Sequence, residues 1–304
     1  MPLKHGSFSR SLGYLFTLAL VISGCGCGTK DIPVVYTKEM QFEAAPKMVI
    51  IVSFDGLRPD AVAPADAGHL TSMAELGTVA TEAKTIVPSL TLPSHTSMLT
   101  GVGVEKHGIT WNGWDPSKGL VRVTTIFDEA KRAGLRTAMV VGKEKFRHLD
   151  HPGSVDAFAF YEGSADIISR MSANIIDEYR PQLLFIHFAH GDTAGHRHGW
   201  MSSKQFDAIH DADQALGRLL QYLQQKNLLL STAVIATADH GGSGKGHGDE
   251  SHTSTSIPWF AIGAGIPKVV KIPTAVSTYD TAATAAKLLG LPIPSSWDGR
   301  SIID

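Results

Sequence analysis

Thr91 is the residue around which the chemistry of this chain can be arranged. It lies in Val87 to Gly101, VPSLTLPSHTSMLTG, which reads as an extended lead-in, a short helix and a closing glycine. Proline is tolerated only in the first turn of a helix, so Pro93 predicts that Thr91 sits just ahead of the helix, its hydroxyl beside the free N–H groups of that turn. An alkoxide or a phosphoryl oxygen is stabilised at such a helix start. A plain N-cap threonine would occupy the same place, so other polar residues must decide between a cap and a nucleophile.

Three aspartates bear on that choice. Asp55 directly follows Met48 to Phe54, Asp192 comes shortly after Gln182 to Phe188, and Asp239 directly follows Ala233 to Ala238. Each of these runs reads as a strand. An aspartate at a strand end is often a turn or cap residue, but histidines accompany these three. Eight of the fourteen histidines fall between His187 and His252, and Asp192-Thr193-Ala194-Gly195-His196 and Asp239-His240 set imidazole beside carboxylate. Mixed carboxylate and imidazole donors suit a borderline ion such as Zn²⁺, whereas Ca²⁺ or Mg²⁺ prefers oxygen alone.

The elements that must position these groups alternate. The three apolar runs are rich in β-branched residues, as in strands buried on both faces of a parallel sheet. Shorter strands are predicted at 136–141, 157–161 and 257–262. Helices are predicted near 65–76, 127–133, 165–179 and 278–289. A long amphipathic helix spans roughly Ser203 to Gln225, with Phe206, Ile209, Ala212, Leu216, Leu219, Leu220 and Leu223 on one face. This alternation predicts an α/β domain with a mostly parallel central sheet and helices on both faces. Sites in such sheets form outside the carboxyl ends of strands, which would gather the three aspartates on one rim.

The chain has 304 residues, 43% hydrophobic and 18% charged, enough apolar material for one large domain or at most two. A net charge of −2 gives no reason to expect a nucleic-acid polymer as partner. Lys4 and Arg10 precede an apolar run, Leu12 to Ile22, too short for a membrane span but suited to the core of an export signal. Ile22-Ser23-Gly24-Cys25 resembles a bacterial lipobox, which predicts an exported protein held at the cell envelope by a lipid anchor, against the alternative of an ordinary cleaved signal. Cys25 and Cys27 are the two cysteines, so no disulfide can staple the body. The expected organisation is a signal and lipobox region over 1–27, a tether over 28–46 and a single domain over 47–304.

Four motifs, SFDGLRPD, PSLTLPSH followed by TGVGVEKHGI and Asn112, GDTAGHRHG, and TADHGG, resemble in sequence and order those of the type I phosphodiesterase and nucleotide pyrophosphatase branch of the alkaline phosphatase superfamily. The resemblance implies an alkaline-phosphatase-like fold and a zinc-dependent phosphoester hydrolase acting on a small-molecule substrate. Asp55, Thr91, Asp239 and His240 would bind one metal, with Thr91 also the nucleophile. Asp192 and His196 would bind the second metal with one later histidine, either His247, as in pyrophosphatases, or His252, as in the related phosphatases and phosphomutases. Asn112 would hydrogen-bond a non-bridging phosphoryl oxygen. Lys143 and Lys145 match a pair that binds a second anionic group in phosphonoacetate hydrolases, although Lys-x-Lys also suits a solvated face. His95 reads as a brace for the turn rather than a ligand.

Two metals about 4 Å apart can polarise phosphoryl oxygens, activate a nucleophile and stabilise a leaving oxygen. Threonine needs that help, because its free hydroxyl is a poor nucleophile. A sulfatase would carry a Cys or Ser where Thr91 stands. The absence of an arginine between Thr91 and Asn112 favours a diester over a monoester dianion, although a phosphomonoesterase or a phosphonate hydrolase stays open. Compared with eukaryotic nucleotide pyrophosphatases the chain is compact, which puts a nucleotide substrate in doubt. A non-catalytic zinc-binding lipoprotein is the rival of another class, and it would have no use for a hydroxyl at position 91.

Overall fold

A computed structural model describes residues 31–303, and from Ile32 onward the chain forms one compact unit. The first half comprises β1 (Met48–Phe54), α1 (Gly68–Leu76), β2 (Thr78–Ala80), β3 (Ala83–Lys84), α2 (Thr91–Thr100), α3 (Val104–His107), α4 (Ile126–Arg132) and β4 (Thr137–Val141). The second half comprises β5 (Ala157–Phe160), α5 (Ala165–Tyr179), β6 (Leu183–Phe188), α6 (His190–His198), α7 (Ser203–Gln225), β7 (Thr232–Thr237), α8 (His252–Thr255), β8 (Trp259–Gly263), β9 (Val270–Ile272), β10 (Val276–Ser277) and α9 (Asp280–Leu288).

Eight strands form one sheet in the order β5-β4-β6-β1-β7-β8-β2-β9, parallel except where β8 runs against β7 and β2. Every residue of β1, β4, β6, β7 and β8 is buried. Successive side chains of a strand point to opposite faces, so both faces of this sheet must be covered. Helices α1, α5, α6 and α7 pack together as one group, and α2, α4 and α9 as another.

The strongest periodicities locate their elements closely: α5 and α7 begin and end where the amphipathic pattern does. Other boundaries shift for local reasons. α1 begins at Gly68 rather than 65, because Asp66 is left-handed (φ 50°) and the Asp213 carboxylate of α7 accepts the free N–H groups of His69 and Leu70 at 3.0 and 2.9 Å. β8 begins at Trp259 rather than 257, after Pro258, which has no N–H to give a ladder.

Within the tether expected over 28–46, contacts with the domain begin at Ile32, although most of its described residues stay exposed. The Ile32 N–H donates to Gln214 Oε1 at 2.5 Å, Val35 and Tyr36 are buried, and the Val34 side chain lies 3.5 Å from where a Cβ on Gly68 would stand. Ile32 thus meets α7 and Val34 meets α1, although Val34 stays 46% exposed. The expected signal and lipobox residues, 1–27, lie outside the described residues. Among the described residues, no helix is long and apolar enough to cross a membrane.

Candidate active site

β6, β1 and β7 are neighbours in the sheet and parallel, so the segments leaving their carboxyl ends emerge side by side. That adjacency brings Asp55, Asp192 and Asp239 together, all three buried. Asp192 and His196 stand one turn apart on α6. Gly56 is left-handed (φ 75°), and a Cβ there would lie 2.9 Å from Asp192 Cα. Only a glycine lets the turn after β1 fold against the start of α6 so closely.

Thr91 is the first residue of α2, not the residue ahead of it. The N-cap is Leu90, in an extended conformation (φ −116°, ψ 151°) and with no capping side chain. The Thr91 hydroxyl is therefore not spent as a cap. It lies 3.3 Å from Lys143 Nζ and 3.5 Å from His240 Nε2. Instead, a carboxamide caps the helix start from outside: Asn112 Oδ1 accepts the Leu92 N–H and the Lys145 ammonium, each at 2.9 Å. The donor end of the Asn112 amide is left for another acceptor.

Two groups of donors converge. In the first, His240 Nε2 lies 3.3 Å from Asp55 Oδ1 and 3.3 Å from Asp239 Oδ2. In the second, Asp192 Oδ1 lies 3.3 Å from both His196 Nε2 and His247 Nε2, which are themselves 3.1 Å apart. His240 Nε2, 3.9 Å from Asp192 Oδ1, stands between the groups, and its ring stacks on that of His247 with centroids 3.7 Å apart. The structure thus brings His247 into the cluster. His252, at the start of α8, belongs to neither group of converging donors.

These residues fit divalent metals on two independent grounds. Asp55 Oδ1, Asp192 Oδ1 and Asp239 Oδ2 are buried with no hydrogen-bond donor, an arrangement costly for carboxylates unless a cation satisfies them. In addition, Nδ1–H of His196, His240 and His247 donates to a backbone carbonyl, at Lys245, Gly241 and Ser89 respectively, over 2.8 to 2.9 Å. That fixes the tautomer of the neutral ring and leaves its Nε2 lone pair facing the cluster, the usual arrangement behind a metal-binding imidazole.

Three histidine and lysine side chains complete the surroundings. His95 Nδ1–H donates to the Thr91 carbonyl at 2.8 Å while its Nε2 accepts from Ser53 Oγ at 2.7 Å, so it braces the turn beneath Thr91. His187 was not singled out in the sequence. Its Nδ1 accepts the Gly142 N–H at 3.3 Å, so its Nε2–H donates to Asp55 Oδ2 at 2.9 Å. The legible signal was position: Ser53, His187 and Thr237 are the polar residues just before the ends of three apolar strands, paired in register across them. Lys143, expected to meet substrate, instead lies 2.6 Å from both Asp55 Oδ2 and Asp192 Oδ2, and so links the backs of the two donor groups.

The electrostatics follow from three buried acids in one place. Burial opposes ionisation of Asp55, but Lys143, His187 and His240 outweigh it and hold the carboxyl well below its ordinary range. Burial and then the Asp55 charge push Asp239 up to about 8. Burial alone would lower His240, yet Asp239 and Asp55 raise it to about 9. The cluster therefore carries excess negative charge that it answers by holding protons, and a bound cation would answer it instead.

A family model described as type I phosphodiesterase / nucleotide pyrophosphatase matches residues 49–245. An uncharacterized pyrophosphatase/phosphodiesterase of Schizosaccharomyces pombe is 29% identical over 214 residues, covering 64% of this chain and 44% of the relative. Mouse ectonucleotide pyrophosphatase/phosphodiesterase family member 7 is 24% identical, covering 64% of this chain and 49% of the relative. The chain thus spans about half the length of these curated relatives. In three dimensions it resembles murine ectonucleotide pyrophosphatase / phosphodiesterase 5, solved as an inactive variant in complex with AMP, with a TM-score of 0.71 at 17% identity, covering 85% of this chain and 98% of the other.

Proposed function

The chain belongs to the type I phosphodiesterase / nucleotide pyrophosphatase family, and from that premise we propose that it is a hydrolase of phosphodiester or phosphoanhydride bonds that uses two zinc ions and Thr91 as nucleophile. The observation that carries this reading is the Thr91 hydroxyl, free of any capping role at the start of α2 and facing the cluster of three buried carboxylates. Asp55, Thr91, Asp239 and His240 would hold one ion, and Asp192, His196 and His247 the other. When bound, the ions supply Lewis acidity toward the phosphoryl and leaving oxygens and lower the pKa of the hydroxyl.

The remaining work falls to the chain itself. The Lys143 ammonium, 3.3 Å from Thr91 Oγ1, favours the ionised hydroxyl, as does the amino end of α2. The Asn112 amide and Lys145 are placed to orient a non-bridging phosphoryl oxygen. Thr91 Oγ forms a bond to phosphorus as the bond to the leaving oxygen breaks, and the leaving oxygen takes up a proton. Water then attacks phosphorus, cleaves the bond to Thr91 and restores its hydroxyl. Two in-line displacements invert twice, so the configuration at phosphorus is retained.

Thr91→Ala tests the reading, because Asp55, Asp239 and His240 remain to hold metal. The variant is expected to keep both metals by elemental analysis while turnover of bis-p-nitrophenyl phosphate falls by roughly 10³-fold or more. Acid quenching of the wild type should trap phosphothreonine. Turnover within about tenfold of wild type, or inversion of a chiral phosphorothioate, would overturn the proposal.

A further inference from the structure

The flank of α6 that does not face the cluster borders a second cavity. Residues of an α-helix step round its axis by about 100° each, so Arg197, one position after His196, is turned away from the metal-facing side. It lines a cleft of about 370 Å³ whose lining also includes Lys143 and small residues such as Gly142 and Ala194. That volume is in the range of small-molecule sites. Lys143 is common to the two sites: it lines the cleft, and its ammonium lies 3.3 Å from the Thr91 hydroxyl.

The charge along this cleft is uneven. Beyond Lys143 it is lined by Arg197 and Lys204 against one carboxylate, Glu162. Among the described residues the Arg197 guanidinium has neither an ion pair nor a hydrogen-bond partner. Lys204 pairs with Asp207 at 3.0 Å, but those side chains are 66% and 64% exposed, so the pair is weak and readily exchanged. A planar guanidinium with its donors unspent, on a cleft that shares Lys143 with the reacting centre, matches a phosphate, carboxylate or sulfate group.

We propose that this cleft is a subsite for a second anionic group of the substrate, carried a few bonds from the reacting phosphoryl and bound chiefly by Arg197 with support from Lys204. The proposal rests on reading the cluster as a phosphoryl site, and it narrows the substrates to phosphoesters or phosphoanhydrides with a further negative charge.

Calorimetric titration of the zinc-loaded full chain with propylphosphonate and 3-sulfopropylphosphonate tests it, since the two ligands differ only in a remote, permanent charge. The wild type should bind the sulfonate-bearing ligand about tenfold more tightly. In the Arg197→Ala/Lys204→Ala variant that preference should shrink to within about twofold, while propylphosphonate affinity and bis-p-nitrophenyl phosphate turnover stay at wild-type levels, which also reports an intact fold. Arg197→Lys should recover part of the preference. A wild type that hydrolyses the diester yet binds both phosphonates equally removes the subsite and leaves the phosphoryl reading standing. A wild type that shows the preference but turns over no ester does the reverse. Preference retained in the double variant overturns the assignment to these side chains, and binding of neither ligand overturns both readings.

Discussion

Lys145 shows how a single residue can set a pH limit. Burial first, and then the like charge of Lys143, lower its ammonium to about 8. Its charged form is therefore present below that value and is lost as pH rises through it. If Lys145 and the Asn112 amide orient the phosphoryl group, KM for bis-p-nitrophenyl phosphate should rise above pH 8, with kcat less affected. Lys145→Arg, whose guanidinium stays charged, should hold KM flat to higher pH. A wild-type KM that does not change between pH 7 and 9.5 would remove Lys145 from substrate binding. The sequence made the three aspartates and Thr91 legible because the chemistry demands those residue types at strand ends and helix starts. It did not make Lys143 or His187 legible in their places. A Lys-x-Lys pair reads as a solvated face, and its role depends on how the turn after β4 folds back over Asp55 and Asp192. His187 reads as one polar residue in an apolar strand until β1 is laid beside it.

Elements hold these residues through a few close approaches. The turn after β1 presses on α6 at Gly56, and the Gly56 N–H also donates to Asp239 Oδ1 at 3.1 Å. Gly56→Ala would force a Cβ to 2.9 Å from Asp192 Cα in a left-handed backbone. The expected result is displacement of the start of α6, a metal content that falls from two toward one, and loss of most activity, with the far-ultraviolet circular dichroism of the wild type. Two metals and activity within about threefold would show that the turn yields without moving Asp192. Periodicity made α5 and α7 legible because each buries a continuous apolar stripe. The start of α1 was not legible, because Asp213, more than 140 residues away, supplies its cap. Nor was the extension of the domain to Ile32, since a short apolar run reads as packed or free only once its receiving surface is known.

At the scale of the whole molecule, the candidate site joins segments that have no sequence proximity. Asp55, Asp192 and Asp239 leave three neighbouring strands, α2 brings Thr91, and the 241–251 loop is fastened to the site by the Lys245 carbonyl on His196 and by His247 on the Ser89 carbonyl. Without a cation, the molecule must bury three carboxylate oxygens lacking donors. Metal binding and folding are therefore linked: a ligand at a thousand times its Kd stabilises the native state by about 4 kcal/mol, and two such sites by about 8. For a domain of this size 1 kcal/mol moves Tm by about 2–4 °C, so stripping both ions should lower Tm on the order of 15 °C or more. Differential scanning calorimetry before and after chelation measures this, and Zn²⁺ should restore the original value where Mg²⁺ does not, because imidazole donors suit the borderline ion. Asp192→Asn should lower Tm by about half as much in excess Zn²⁺, since only one donor group is weakened. His252→Ala should behave as the wild type, and His247→Ala as Asp192→Asn. A Tm that chelation leaves unchanged would mean that the protons held by Asp239 and His240 already satisfy the cluster, and that no metal belongs to this fold.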